Sequence, residues 1–278
     1  MNNNPIGAFD SGVGGLSCLA TWEQTLPNES VVYFGDVARA PYGDKEPETL
    51  HRYAFQIADF LVSNGAKMMV IACNTVSALC ADELREAYPD IPIIDVISPT
   101  VSYLAQTDNF RKIGVIATKA TINSGTYERK LMEGGVKAQI YSKSCPLFVP
   151  LVENGFREGI VVETVVAHYL DSFVRETGIE ALILGCTHYP FIEASIRKLY
   201  PQLEIINPSK IVTQQVQKVL QEKNICASPD AEANYAFYAS NLSEMFLDIV
   251  SRVRPKNDYS VNVKTFKGNP FKCGYKKN

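Results

Sequence analysis

The chain of 278 residues is 46% hydrophobic and 21% charged, with a formal net charge of −3. This length suits one large domain or two ordinary ones, with a core that needs no metal or disulfide for stability. The nearly balanced charge argues against a general surface for nucleic acid or anionic membranes, and no apolar run is long enough to span a membrane. Since the N-terminal segment lacks the pattern of a signal peptide, we expect a cytoplasmic protein.

Short apolar segments alternate with helical segments along the chain, which predicts an α/β fold. The expected strands are, in order, IGAF (Ile6–Phe9), VVYFG (Val31–Gly35), MMVIA (Met68–Ala72), IPIIDV, KIGVIAT, AQIY, ALILG (Ala181–Gly185) and EIIN. Helices are expected at Glu48–Asn64 and Ile211–Gln221, where apolar residues recur at helical spacing. Continuous apolar strands are typical of parallel sheets that are covered on both faces. Near the end, VNVKTF predicts a last strand, and FKCGYKKN is expected to be solvated.

The two halves of the sequence resemble each other. The first runs from ETLHRYAFQ through MMVIACNT to ELREAYPDIPIIDV, and the second from ETVVAHYLD through ALILGCT to SIRKLYPQLEIIN. Aligning Thr75 with Thr187 places Tyr88 and Tyr200 at the same offset. A repeat of this kind indicates duplication of one α/β unit.

We therefore expect two similar α/β domains with mainly parallel sheets, related by a pseudo-twofold axis, with the active site in the cleft between them. The chain is expected to cross between domains near Ser98–Pro99 and Asn207–Pro208. Residues 1–98 and 208–278 would then form the first domain, and residues 99–207 the second.

Seven cysteines without a CxxC pair argue against a disulfide framework and a zinc ribbon, so we expect free thiols and no metal site. Cys73 and Cys186 each follow an expected strand, at equivalent positions of the two halves. Ligands of open α/β sheets bind at these strand ends, where a helix N-terminus lowers the pKa of a thiol. The other cysteines are expected to be buried or plain surface thiols: Cys18, Cys80, Cys145, Cys226 and Cys273.

Two thiols that face each other across one cleft suit a racemase. One thiolate removes the α-proton from one face of the substrate carbon, and the opposed thiol delivers a proton to the other face. Without a cofactor to delocalise the carbanion, preorganised donors must stabilise the charge that develops on the carboxylate. The Thr and Asn side chains and the glycine-turn amides near both cysteines supply such donors.

Five motifs occur in order along the chain: DSGVGG (Asp10–Gly15), FGDVARAPYG (Phe34–Gly43), ACNT (Ala72–Thr75), VENG (Val152–Gly155) and GCTHYP (Gly185–Pro190). Together they resemble the glutamate racemase family, and the resemblance covers Ile6 to Val250. It implies a cofactor-independent enzyme that interconverts L- and D-glutamate and supplies D-glutamate for peptidoglycan synthesis. It also implies a homodimer.

The resemblance assigns roles to individual residues. It implies that Cys73 acts on D-glutamate and Cys186 on L-glutamate. The residues that match groups assisting these thiols are Asp10, His188, Asp36 and Glu153. The residues that match substrate contacts are Asp10, Ser11, Pro41, Tyr42, Gly43, Asn74, Thr75, Thr118, Thr121, Thr187 and His188.

Several of these residues also have an ordinary structural interpretation. Asp10 can hold a proton near Cys73 or orient the substrate ammonium, but it can equally cap a helix. Asp36 precedes a turn, and Glu153 lies in a polar loop where a solvated acid is common. His188, two residues from Cys186, is placed to polarise that thiol.

Three other functions remain open from the residues. A racemase of the same superfamily can act on aspartate or a hydantoin. A thiol hydrolase would use Cys186 and His188 as nucleophile and base, but it would leave Cys73 without a role. A binding or regulatory protein is the third alternative.

Overall fold

The computed structural model of the chain describes residues 1–255 and 258–266, so Cys273 and the segment FKCGYKKN lie outside the described residues. The strands are β1 (Ile6–Asp10), β2 (Val31–Gly35), β3 (Met68–Ile71), β4 (Ile93–Asp95), β5 (Lys112–Ala117), β6 (Gln139–Ser144), β7 (Ala181–Gly185), β8 (Glu204–Ile206), β9 (Tyr235–Ala239) and β10 (Tyr259–Val263). The sequence-based strand predictions are therefore confirmed, with shifts of a few residues at the ends.

Within the described residues, the strands form two sheets in which every pairing is parallel. The six-stranded sheet has the order β10-β9-β2-β1-β3-β4, and the four-stranded sheet has the order β6-β5-β7-β8. The order β2-β1-β3-β4 matches β6-β5-β7-β8 strand for strand. This match confirms the expected fold, in which two similar α/β domains each carry one sheet.

The helices connect these strands. They are α1 (Leu16–Leu19), α2 (Trp22–Thr25), α3 (Pro47–Ser63), α4 (Asn74–Ala87), α5 (Ile97–Thr107), α6 (Lys119–Asn123), α7 (Thr126–Glu133), α8 (Phe148–Glu153), α9 (Ile160–Thr177), α10 (Glu193–Leu199), α11 (Pro208–Glu222) and α12 (Glu244–Val253). Two short 3-10 turns occupy Val37–Arg39 and Tyr189–Ile192. Local sequence explains where α11 begins, because Pro208 takes its first position and the Asn207 side chain accepts a hydrogen bond from the Ser209 amide at 3.0 Å.

Each sheet has an apolar core on both of its faces. In β1, Ile6 and Ala8 pack on the face covered by α11 and α12, whereas Phe9 packs on the face covered by α3 and α4. The same alternation occurs in β7, where Leu182 and Ile183 belong to different clusters. Strands buried on both faces in this way must be apolar throughout, which is the pattern seen in the sequence.

The segment after Pro208 packs on the six-stranded sheet. Helix α11 packs Val212 and Val216 into the core of the six-stranded sheet, and β9 pairs with β2 from Val31 to Gly35. The residues at which we expect the chain to cross between domains, Ser98–Pro99 and Asn207–Pro208, lie in the first turn of α5 and at the start of α11. They follow β4 and β8, respectively.

Candidate active site

A small cavity of about 20 Å³ lies at the carboxyl ends of β1, β3, β5 and β7. Its walls come from both domains, and they comprise Ser11, Ala40, Pro41, Tyr42, Gly43, Cys73, Asn74, Thr75, Thr118, Val149, Cys186, Thr187 and His188. The sequence expectations include all of these residues except Ala40 and Val149. The expected residues Asp10, Asp36, Thr121 and Glu153 do not line the cavity, but each binds a residue that does.

Cys73 is the N-cap of α4, which begins one residue later at Asn74. The Ser77 amide donates to the Cys73 carbonyl at 2.8 Å, so the chain turns directly from β3 into an α-helix. Burial, with a smaller effect of the Asp10 carboxylate, raises the pKa of the Cys73 thiol to about 12. The Val76 amide and the Ser11 hydroxyl act in the opposite direction. The expectation of a lowered pKa is therefore wrong for Cys73 in the closed cavity, because desolvation outweighs the helix N-terminus.

Cys186 follows β7 at the equivalent place, but no α-helix begins there. The Tyr189 amide donates to the Cys186 carbonyl at 3.0 Å and the Phe191 amide to the His188 carbonyl at 3.1 Å, which makes a 3-10 turn. Pro190 lies inside this turn, lacks an amide proton and disfavours an α-helical conformation at the residue before it. The expected helix N-terminus at Cys186 is therefore wrong, and α10 starts only at Glu193.

The Cys186 thiol has a histidine beside it, His188, instead of the expected helix N-terminus. His188 Nδ1 lies 3.9 Å from the Cys186 sulfur, and His188 Nε2 lies 2.5 Å from Glu153 Oε1. Burial by itself lowers the pKa of His188, but the hydrogen bonds to Cys186 and Glu153 outweigh it and raise the pKa to about 10. His188 is thus an imidazolium at neutral pH, held between a thiol and a carboxylate.

Asp10 binds three donors from two domains. Its Oδ2 accepts hydrogen bonds from the amides of Gly12 and Gly15, each at 3.0 Å, and its Oδ1 accepts one from the Thr187 hydroxyl at 3.2 Å. The carboxylate is fully buried, and Gly15 is the N-cap of α1. These contacts are those of a carboxylate that organises the glycine-rich turn ahead of α1, which is close to the helix-capping interpretation.

Asp36 lies behind the APYG segment. Its buried carboxylate accepts a short hydrogen bond from the Tyr42 hydroxyl and pairs with the Arg39 guanidinium at 2.6 Å. Arg39 in turn stacks on the Tyr53 ring, 3.9 Å from its centroid. The Tyr42 hydroxyl is therefore bound to a carboxylate that does not line the cavity.

Three threonine hydroxyls form a cluster where the two domains meet. Thr75 Oγ1 lies 3.1 Å from Thr118 Oγ1 and 3.3 Å from Thr121 Oγ1, and the Thr118 and Thr121 hydroxyls are 3.0 Å apart. Thr118 is also the N-cap of α6. Because each hydroxyl has a proton that can rotate, the cluster can turn donors toward an anion in the cavity.

The described residues also bear on membrane and metal-dependent functions. Across residues 1–255 and 258–266, no helix combines the length and the apolar character that a membrane span requires. In the same part of the chain, no group of three or more His, Cys, Asp or Glu side chains is arranged to hold a metal ion.

Comparison with known proteins relates this geometry to one family. The family model described as Asp/Glu/Hydantoin racemase matches residues 16–216. The glutamate racemase of Persephonella marina is 46% identical over 74% of this chain and 78% of that protein. The glutamate racemase of Aquifex aeolicus is 39% identical over 90% of this chain and 96% of that protein. The crystal structure of the Francisella tularensis glutamate racemase in complex with D-glutamate superposes with a TM-score of 0.87 at 38% identity, covering 96% of this chain and 98% of that one. The family resemblance inferred from the five motifs is confirmed.

Proposed function

The chain belongs to the Asp/Glu/Hydantoin racemase family and is an isomerase, and from this premise we propose that it interconverts L- and D-glutamate without a cofactor. One observation carries the proposal: Cys73 and Cys186, which follow equivalent strands of the two sheets, line a single cavity. Their sulfur atoms supply one proton-transfer group from each domain, as a reaction that inverts one carbon requires.

In the proposed reaction, Cys186 as a thiolate removes the α-proton of L-glutamate while Cys73 as a thiol protonates the opposite face. The protonation of the cavity supports this assignment. The raised pKa of Cys73, about 12, keeps that thiol protonated at neutral pH, and the His188 imidazolium can balance the charge of a thiolate at Cys186. After one turnover the two sulfurs have exchanged states, so a proton must return to Cys73 before the next L-glutamate reacts.

Charge that develops on the substrate carboxylate during proton removal needs donors in place. The amide of Asn74 and the hydroxyls of Thr75 and Thr118 line the cavity and are suited to this role. Tyr42 and Gly43 line the same cavity. We propose that Asp10, Asp36, Glu153 and Thr121 act through the residues they bind rather than by contact with glutamate.

Substrate entry requires the cavity walls to separate. A volume of about 20 Å³ holds about one water molecule, and glutamate is several times larger than a water molecule. Because the walls come from two domains, a small rotation of one domain against the other is the simplest way to admit the substrate. Reclosure then excludes water from the thiols, which strengthens their electrostatic interactions with the substrate.

We also propose the wider setting of the enzyme. It works in the cytoplasm as a homodimer and supplies D-glutamate for peptidoglycan synthesis. Exposed apolar side chains of the second domain, including Phe156 and Ile160, support a subunit interface. Residues 1–98 with 208–278, and residues 99–207, are the proposed domains, and the membership of the strands in the two sheets supports this division.

The decisive experiment incubates L- or D-glutamate with the protein in D₂O and follows deuterium at Cα by NMR, together with optical rotation. We expect each enantiomer to give the other, with deuterium in the product. L-aspartate in the same assay separates a glutamate racemase from an aspartate racemase. If neither glutamate enantiomer exchanges while an ester substrate gives a burst of acyl-enzyme, the thiol hydrolase is correct and the proposal is wrong.

A further inference from the structure

Tyr127 is a buried residue of the second domain that does not line the cavity. It lies in the first turn of α7, and its hydroxyl donates a hydrogen bond of 2.6 Å to Oδ1 of Asn74 in the first domain. The neighbouring Thr126 hydroxyl donates to the Ala78 carbonyl at 3.0 Å. The start of α7 is thereby bound to α4, the helix that Cys73 caps.

The hydrogen bond from Tyr127 orients the Asn74 side chain. A carboxamide has one acceptor atom and one NH₂ group that only donates. Because Oδ1 of Asn74 accepts from Tyr127, the NH₂ group is directed elsewhere, and within the described residues it donates to no protein atom. Asn74 lines the cavity, so this NH₂ group is available to an acceptor there. A carboxylate accepts hydrogen bonds and donates none, and it therefore fits this position.

The Tyr127 ring also lies close to the strand end that precedes the second thiol. A Cβ atom placed on Gly185 would lie 3.2 Å from Tyr127 Cε2, and Gly185 directly precedes Cys186. One side chain thus binds the residue after Cys73 and lies beside the residue before Cys186. Burial raises the pKa of Tyr127 well above its usual value, so its hydroxyl stays protonated and remains a donor.

We propose that Tyr127 is a positioning residue that holds the Asn74 carboxamide with its NH₂ group toward a substrate carboxylate. This inference rests on the proposed glutamate racemisation and deepens it. Tyr127 acts only through Asn74, without touching the substrate. Its hydroxyl forms this contact when the two domains are closed on each other, so the donor is fully oriented in the closed state.

A double-mutant cycle tests the proposal with Tyr127→Phe, Asn74→Ala and their combination. Tyr127→Phe keeps the ring and removes one hydroxyl, and we expect kcat/KM to fall about 10-fold, as for the loss of one well-placed hydrogen bond. The fall must be equal for both enantiomers, because the equilibrium constant between mirror images is one. In the Asn74→Ala background, Tyr127→Phe should change kcat/KM no further.

Two more variants separate positioning from packing. Tyr200→Phe removes another hydroxyl of the second domain that forms a 2.6 Å hydrogen bond, to Asp171, and it should leave kcat/KM unchanged. Asn74→Asp keeps an acceptor for Tyr127 but loses the NH₂ group, so it should lose as much activity as Asn74→Ala. Melting temperatures of all variants show whether each protein is folded.

The proposal is overturned if Tyr127→Phe lowers kcat/KM by the same factor with and without Asn74, or has no effect in the parent. Calorimetric binding of L-glutamate to the same proteins provides a readout that does not need turnover. A parent that binds glutamate without racemising it contradicts the proposed function alone, and the cycle of binding constants then decides the role of Tyr127. A parent that does not bind glutamate contradicts both.

Discussion

The Thr187 hydroxyl donates a hydrogen bond of 3.2 Å to Oδ1 of Asp10, joining the turn after Cys186 to the glycine-rich turn of the other domain. The Thr187 carbonyl also lies 3.4 Å from the Ser17 hydroxyl, which belongs to α1. The residue beside one thiol is thus bound at two points to the opposite domain. This arrangement couples the position of Cys186 to closure of the cavity.

Removing the hydroxyl of Thr187 should therefore loosen the closed state. We expect Thr187→Val, which keeps the side-chain shape, to lower kcat/KM about 10-fold, because a buried acceptor on Asp10 loses its donor. Thr187→Ser keeps the hydroxyl and is the matched control, with activity close to the parent. Racemisation rates of the two purified variants check this, and equal rates would contradict the role of the bond.

Asp10→Asn should affect stability as well as activity. All three groups that Asp10 binds are donors, so the NH₂ group of an asparagine would face a donor without an acceptor. We expect the free energy of unfolding to fall by about 1–3 kcal/mol for that loss. Urea unfolding measures the change, and an unaltered midpoint would show that the turn does not need the carboxylate.

Replacing either cavity thiol by alanine should abolish most racemisation but leave proton exchange with one enantiomer. Cys73→Ala and Cys186→Ala should each reduce racemisation by about 10²- to 10⁴-fold, as for loss of a general acid or base. Cys73→Ala should still exchange the α-proton of L-glutamate, and Cys186→Ala that of D-glutamate, because one base remains in each variant. Cys226→Ser is the control, since Cys226 is a thiol of the described residues outside the cavity. Racemisation at the parent rate in either alanine variant would exclude the two-thiol mechanism.

Gly14 should tolerate no side chain. A Cβ atom there would lie 2.5 Å from Thr187 Oγ1 and 2.6 Å from His188 Nδ1, the ring atom that faces Cys186. We expect Gly14→Ala to displace His188 and to lower kcat about 10²-fold, the typical cost of a misplaced catalytic group. Gly12→Ala in the same turn should cost less activity, because its Cβ would lie 3.3 Å from Glu153 Oε1, a contact that a shift of a few tenths of an ångström relieves. Similar kcat values for the two variants would argue against this steric account.

The His188–Glu153 pair should make stability depend on pH. The pKa of His188 rises on folding from 6.5 to about 10, so its contribution is complete below pH 6.5 and is lost as the pH approaches 10. Buried thiols such as Cys73 add a further loss only above pH 9.0, where the unfolded chain begins to ionise.

Between pH 6.5 and 9.0 we therefore expect the free energy of unfolding to fall by up to about 1.4 kcal/mol per pH unit. Glu153→Gln removes the carboxylate that binds His188 and should flatten this slope. Glu158→Gln changes an exposed acid of the same segment and should leave the slope intact. Denaturant unfolding at several pH values checks the prediction, which fails if the slopes of Glu153→Gln and the parent agree.

Sequence patterns were sufficient for the repeat and for nine of the ten strands of the described residues, whereas β9 was not predicted. Continuous apolar segments such as Met68–Ile71 have few alternatives to a strand buried on both faces, and the offset between Thr75 and Tyr88 recurs at Thr187 and Tyr200. Both signals are local, because they depend on residues that follow one another along the chain. They also located Cys73 and Cys186 at the ends of equivalent strands.

Features that depend on contacts between distant segments were not predictable in this way. Val149 lines the cavity through packing, and nothing distinguishes it from any other apolar residue of a helix. Tyr127 lies in an ordinary amphipathic helix, and only the meeting of two domains brings it to Asn74. The 3-10 turn after Cys186 did leave a local signal, since Pro190 disfavours an α-helix there.

The shared strand order of the two sheets has a consequence for the origin of the chain. A half-length ancestor with one α/β unit would have carried one thiol, and it could have enclosed a two-thiol cavity only by pairing with an identical copy. Such a pair falls apart on dilution, whereas joining the copies in one polypeptide removes that dependence. After fusion each half can change independently of the other. The two halves now differ in this way, since Cys73 caps an α-helix and Cys186 lies beside His188.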